Sequence, residues 1–385
     1  MLKAGAKVVI ICDTAKFFGQ KVAKSYLFCN FAAEMDISHY PDQSLPVGCF
    51  AATIGFFDGV HLGHQYLLGQ LREEGARRGM KSLAVTFDRH PREVVQAGWQ
   101  PQLLTTLDEK CVLLGQAGID ALVVLRFDSA MAALTARQFM GGVLRDRLHA
   151  RLLLTGYDNR FGHHRTETFA DYERYGREMG IEVVCAYPLS LRTSAEPPSA
   201  STDRHEQDEA VVSSSLVRRL LAGGDVGGAS RCLGRHYSVG GRVVHGERKG
   251  HTLGFPTANL MPCDPLKLIP ANGAYAVVAT LADGTRRQGM TNIGMRPTFH
   301  GERQTLETNI FDFKQDLYGQ PLQIDFVARL REEMAFPTPA DLARQLSYDR
   351  EEARQLLTEL QRADTGIPVI PSPTRRLSAP TSIIE

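Results

Sequence analysis

The chain has 385 residues, 43% apolar and 23% charged, with 44 basic against 43 acidic side chains and a net charge of +1. That length favours two domains over a single core, and the balanced charge argues against a long nucleic acid as the main partner. Seven scattered cysteines without a Cys-x-x-Cys pair argue against a disulfide framework or zinc site and fit a reducing cytoplasm; no apolar run is long enough to cross a membrane.

Residues 1–45 read as a peripheral extension. Lys7 to Cys12 is apolar but too short for the hydrophobic part of a signal peptide, and Met35 is an alternative start. From Cys49 to Tyr187 short apolar runs alternate with helical stretches. Strands are predicted at 49–54, 82–87, 121–127, 151–156 and 181–187, and helices at 64–76, 106–117, 135–148 and 168–179. Apolar strands without alternation, separated by helices, predict a parallel sheet covered on both faces. Ligands of such sheets bind beyond the carboxyl ends of the strands.

Three stretches fall at those ends. Gly55-Phe56-Phe57-Asp58-Gly59-Val60-His61-Leu62-Gly63-His64 follows the first strand and enters a helix. A glycine-broken turn at a helix start presents backbone N–H groups and a positive helix end, which suit a phosphate. His61 and His64 can both face charge that grows during phosphoryl or nucleotidyl transfer, or can simply cap the helix. Asp88-Arg89-His90-Pro91 follows the second strand, as a site or as a strand end stopped by proline. Gly156 to Gly162 follows the fourth; Asp158 there either holds a ligand hydroxyl or ring nitrogen or caps the next helix.

Residues 192–210 are poor in apolar side chains and read as a flexible surface insertion. Ser213, Ser214, Ser215 and Arg218 open a helix that runs to Gly223-Gly224. They make a phosphate clamp or an ordinary N-cap with an exposed basic residue. The first domain ends near Gly234. Beyond it strands are predicted at 237–244, 275–281, 286–293, 305–313 and 322–330, with a hairpin turn at Asp283-Gly284 and a helix over 339–362. This is an antiparallel, mostly β domain, closed or partly closed. Residues 372–385 read as a disordered tail. Gly246 to Asn259 combines glycines with basic residues, as a phosphate cradle with Thr257 and Asn259 offering oxygens to Mg²⁺ or as a glycine-rich hairpin. Glu307 is the candidate general base, although nothing local ranks it above Asp312 or Asp325.

Taken in this order, the stretches resemble the bifunctional bacterial flavin synthases, riboflavin kinase joined to FMN adenylyltransferase (FAD synthetase). The resemblance runs from Gly48 to Leu357 without the insertion. It implies an α/β nucleotidyltransferase domain with a parallel, Rossmann-like sheet over 46–191 and 211–234. An antiparallel β-barrel kinase domain with a C-terminal helix follows over 235–363, then a tail over 364–385. In the first domain Gly55, Phe57, Asp58 and Gly59 would form the nucleotide loop, and His61 and His64 would steady the ATP phosphates. Asp158, Ser213, Ser214, Ser215 and Arg218 would complete the nucleotide and flavin site. In the second, Gly250, Gly254 and Pro256 would flank the nucleotide, Thr257 and Asn259 would bind Mg²⁺·ATP, and Asn292 and Arg296 would lie on the flavin side. Glu307 would deprotonate the riboflavin 5′-hydroxyl. The resemblance implies riboflavin, FMN and FAD as substrates and products, ATP as co-substrate, and a cytoplasmic enzyme without nucleic-acid or membrane partners. It leaves room for a homo-oligomer. Phe56, His251, Ser215 and Asn309 depart from the family's usual residues; His251 and Phe56 are the two that bear on the strength of each activity.

Overall fold

The computed structural model describes residues 7–11, 37–40, 48–156, 159–163, 165–187, 189–192, 209–246, 255–298 and 301–363; for some of these, 7–11 and 37–40 among them, it describes only the backbone. The first half is a wholly parallel sheet of seven strands among the described residues. They are β1 (Lys7–Ile11), β2 (Ile37–Tyr40), β3 (Phe50–Ile54), β4 (Lys81–Phe87), β5 (Ala121–Leu125), β6 (Ala150–Gly156) and β7 (Glu182–Ala186). Their spatial order is β2-β1-β5-β4-β3-β6-β7. The N-terminal region read as peripheral contributes the two strands at one outer edge, where β1 runs alongside β5.

The helices between the strands are α1 (Leu62–Arg77), α2 (Pro91–Val95), α3 (Leu107–Gln116), α4 (Ser129–Ala132), α5 (Ala136–Gln138) and α6 (Phe169–Met179). Both sheet faces are buried, which is why the strands read as unbroken apolar runs. Phe50, Ala52 and Ile54 of β3 join Phe139, Met140 and Tyr172 on one side. Ala51 joins Leu68, Leu71 and Leu114 on the other. The helix predicted over 135–148 starts as expected, with Thr135 and Gln138 capping each other. It then opens into a π-helical stretch, Phe139–Arg145. Gly141 and Gly142 in that stretch lower the preference for regular α winding.

β8 (Ser190–Arg192) and β9 (Glu209–Val211) pair at the two ends of the 192–210 insertion. Most of that insertion, and the tail beyond 363, lie outside the described residues. α7 (Ser214–Ala222) follows as predicted. α8 (Val226–Leu233) was not read from the sequence, because Gly227 and Gly228 dilute its helical signal. Val217, Leu221, Val226 and Leu233 of this pair pack into one cluster with the interior of the following barrel.

The barrel strands are β10 (Tyr237–Val244), β11 (Ala258–Pro262), β12 (Gly273–Thr280), β13 (Arg286–Thr298), β14 (Gly301–Ile310) and β15 (Pro321–Arg331). They close antiparallel in the order β10-β11-β14-β13-β12-β15. Alternate residues such as Val239, Tyr275, Val277, Leu322, Ile324 and Phe326 fill the interior. α9 (Pro339–Ala363) lays Ala353 and Leu357 over Ala276, Met290 and Val327 on the outer wall. The α/β domain and the antiparallel barrel with its terminal helix are the fold class read from the sequence. Within the barrel, β11 is the strand that reading lacked. It is short and proline-bounded, and its pairing with β10 and β14 makes it a strand.

Candidate active sites

In the parallel sheet β3 has β4 on one side and β6 on the other, so the chain changes direction across the sheet there. A switch point of this kind opens a crevice beyond the strand ends. The His-x-Gly-His loop leaves β3 into that crevice. The loop after β6 is tied to it by Asn159 Nδ2, which donates to the Ile54 carbonyl at 2.7 Å. Asp158 lies outside the described residues.

The loop is held under backbone strain. Phe57, Gly59 and Val60 all have positive φ, at 53°, 80° and 38°, a conformation that side chains with a Cβ adopt only at a cost of about 1–2 kcal/mol. A Cβ on Gly55 would lie 2.9 Å from the Phe57 ring, and one on Gly59 2.9 Å from Leu104. The surroundings fix this shape. Arg235 donates to Gly59 O at 2.7 Å, and Gln65 donates to Val60 O at 2.9 Å and Leu233 O at 3.0 Å.

His61 is the N-cap of α1, its Nδ1 accepting from His64 N at 3.3 Å. That bond leaves Nδ1 without a proton, so the neutral ring carries its hydrogen on Nε2. The two rings stack with centroids 3.7 Å apart. Burial, then the charges of Arg235 and Arg218, lower His61 to a pKa of about 3. Burial first, then His61, Arg235 and Lys110, lowers His64 well below its ordinary value. Both rings are neutral donors at pH 7. Among the described residues His64 Nδ1 is buried with no hydrogen-bond partner, an unmet polar group in the first turn of α1.

Asp58 is 3% exposed. Its Oδ1 accepts from Leu104 N and Thr105 N, each at 3.0 Å, and Oδ2 pairs with Arg218. Arg218 also donates to Gln102 O at 2.8 Å. The three serines take separate positions: Ser213 caps α7, Ser214 Oγ donates to Asp58 O at 2.8 Å, and Ser215 is exposed. The structure therefore gathers Gly55, Phe57, Asp58, Gly59, His61, His64, Ser213, Ser214 and Arg218 at one place.

Lys110 was not singled out in the sequence. It is 2% exposed, donates to Phe87 O at the end of β4 at 2.8 Å, and lies 4.1 Å above the Phe56 ring. Burial lowers its pKa to about 8. A lysine on the buried face of α3, beside Cys111 and Leu114, is the signal that would have marked it. Phe56 also packs edge-on against His90 at 4.7 Å, and His90 against Trp99 at 4.7 Å. Burial, then Arg218, lowers His90 to a pKa of about 4. Phe56 is thus the aromatic cover of a buried cation.

The second site lies on the barrel wall. Register places Glu307 of β14 opposite Asn259 of β11 and opposite Asn292 of β13. Residues opposite one another on paired strands point to the same face, so the three polar side chains form a row. One position along, Thr308 and Thr291 join hydroxyls at 2.8 Å. A cavity of about 760 Å³ adjoins this wall, with His245, Thr257, Asn259, Thr308 and Tyr318 among its lining. His245 and Tyr318 stack within that lining, their centroids 3.5 Å apart. Asn309 Nδ2 donates to Pro256 O at 2.7 Å and fixes the Pro-Thr-Ala-Asn stretch where it enters β11. Gly250, Gly254 and His251 lie outside the described residues, and so does the Arg296 side chain.

Comparison with known proteins matches each half. Residues 46–195 match the family model described as FAD synthetase, and residues 233–357 the one described as riboflavin kinase. The bifunctional riboflavin kinase/FMN adenylyltransferase of Escherichia coli strain K12 is 35% identical over 319 residues, covering 82% of this chain and 95% of that protein. Its Bacillus subtilis counterpart is 32% identical over 314 residues, covering 80% and 93%. The crystal structure of a macrolide-efflux protein from Streptococcus pneumoniae shares the fold with a TM-score of 0.69 at 29% identity, covering 81% of this chain and 96% of that one. Among the described residues no helix is long and apolar enough to cross a membrane.

Proposed function

Because this chain belongs to the bifunctional riboflavin kinase/FMN adenylyltransferase family and carries both activities, we propose that the switch-point crevice performs adenylylation through neutral donors, and that the barrel site performs phosphorylation with Glu307 as base. The observation that carries the assignment of Glu307 is its register between Asn259 and Asn292.

In the barrel the riboflavin 5′-hydroxyl oxygen forms a bond to the γ-phosphorus of ATP while the bond to the β-phosphate bridging oxygen breaks and ADP leaves. Glu307 takes the hydroxyl proton as that bond forms. Thr257 and Asn259 offer neutral oxygen donors at the cavity edge, which fits Mg²⁺ carried in largely by nucleotide phosphates. Bound there, the ion supplies neutralisation of phosphate charge. Thr257 and Asn259 orient the phosphates, and the flavin lies toward Asn292 and Arg296. The stacked His245 and Tyr318 rings border the nucleotide.

In the crevice a phosphate oxygen of FMN attacks the α-phosphorus of ATP, and pyrophosphate leaves. A phosphate monoester is already a competent nucleophile, so the site needs alignment and charge stabilisation rather than a base. His61 donates from Nε2. His64 stacks on it, and the first turn of α1 adds its positive end. Arg218, held by Asp58 and Gln102, supplies a fixed charge, and Lys110 adds a buried one behind Phe56. A cytoplasmic location belongs to this reading, supported by the scattered cysteines and the use of ATP.

A chromatographic time course with riboflavin, ATP and Mg²⁺ tests the scheme. FMN should rise first and FAD follow, chelation of Mg²⁺ should stop FMN formation, and Glu307→Ala should block only the first step. FMN formation that survives Glu307→Ala would remove that residue from the mechanism.

A further inference from the structure

A fully buried lysine ammonium needs partners, because taking its charge out of water is costly. Lys267, 6% exposed, sits in the barrel's connection between β11 and β12, yet its hydrogen-bond and ion-pair partners lie in the other domain. Its Nζ donates to Leu104 O at 2.8 Å and pairs with Glu109, and it lies 4.9 Å above the Tyr237 ring. The backbones join as well: Leu103 N donates to Leu266 O, and Leu268 N to Leu103 O, both at 2.8 Å.

The segment so gripped is the one that holds the adenylyltransferase loop. Leu104 gives its carbonyl to Lys267 and its N–H to Asp58. Thr105 gives its N–H and its hydroxyl to Asp58, and its Oγ1 accepts Gly59 N at 3.0 Å. Glu109 Oε2, besides pairing with Lys267, accepts Thr106 N at 3.0 Å, closing the start of α3. Arg218 then spans the segment, bonding Gln102 O at one end and Asp58 beside the other.

We infer that Lys267, a side chain of the kinase barrel, is a positioning residue for FMN adenylylation: by fixing Leu104 and Glu109 it sets the Asp58–Arg218 pair against the His61–His64 loop. This rests on the proposed role of Arg218 in the crevice. The barrel is, on this account, part of the scaffold of the first active site as well as the seat of the second.

The two reactions of one chain supply the control. In the full-length protein, Lys267→Met should lower kcat/KM for FAD formation from FMN by roughly ten- to a hundredfold, the scale of a small misplacement of catalytic groups. Riboflavin phosphorylation should stay within about twofold, since among the described residues none that lines the kinase cavity is a partner of Lys267. Lys267→Arg, which keeps a charged donor, should recover part of the loss. The double variant Glu109→Gln/Lys267→Met removes the unpaired buried carboxylate; it should regain thermal stability without regaining FAD formation, because Leu104 O still lacks its donor. Unchanged FAD formation in Lys267→Met, an equal fall in both reactions, or full recovery in the double variant would each overturn the inference. Arg218→Met separates the two levels. If it abolishes FAD formation while Lys267→Met does not, the inference alone fails; if it leaves FAD formation intact, the proposed role of Arg218 fails and the route through it with it.

Discussion

A carboxylate on a strand carries no mark of its own. Glu307 differs from Asp312 and Asp325 in the sequence only by its neighbours, and what distinguishes it is its place between Asn259 and Asn292. Glu307→Gln keeps the shape and removes the base. Riboflavin phosphorylation should fall by about 10²–10⁴-fold, with FMN adenylylation intact in a separate assay; parallel losses would mean a structural role. The histidines were legible by spacing, but their charge state was not. In the unfolded chain His61 protonates near 6.5, and in the folded protein only near 3. Between those values the unfolded state binds the extra proton, so stability is complete above pH 6.5 and declines as pH falls toward 3. His61→Asn keeps a cap acceptor and should flatten the decline by up to about 1.4 kcal/mol per pH unit. Urea denaturation at pH 7 and pH 5 would measure it, and an unaltered slope would assign the acid sensitivity to other groups.

At the scale of elements, strands buried on both faces and long amphipathic helices were read almost to their ends, because their periodicity is a local property of the chain. Among those not read were β1 and β2 at one edge of the parallel sheet, β11 and α8. β11 is a strand by virtue of its partners, and α8 is a helix of eight residues whose Asp225 cap and Gly234 terminus offset two internal glycines. The attachment of α9 rests on a third kind of information. Arg331 and Asp349 make three hydrogen bonds of 2.8–3.1 Å between β15 and α9, with Asp349 only 1% exposed. Asp349→Ala leaves the arginine charge partly buried and unpaired, and should cost about 3–5 kcal/mol. Arg354 and Asp312 also pair, but in the open, so Asp312→Ala should cost under about 1 kcal/mol. Denaturant midpoints of the two variants compare them directly; similar losses would refute the argument from burial.

For the whole molecule, the relevant fact is that one apolar cluster runs from the barrel interior through α7 and α8 to Leu104. Two domains sharing a core and the Lys267 contact should unfold together. Trp99 is the chain's single tryptophan and packs on His90 beside the first site, so its fluorescence reports the α/β domain. Its urea midpoint should coincide with the loss of riboflavin phosphorylation, which reports the barrel. Separate midpoints would show the domains to be independent.

By itself the sequence determined that strands and helices alternate before the insertion and that antiparallel texture follows it, and it supplied the order of the motifs. These are written in side-chain periodicity and in glycine and proline punctuation, which act over a few residues. The tertiary structure alone decided that β3 lies at the switch point, that Glu307 faces two asparagines, that Lys110 hides beneath Phe56, and that Lys267 meets Leu104 across 163 residues. Each depends on which distant segments pair and in what register, and that is fixed by burying the whole apolar surface at once.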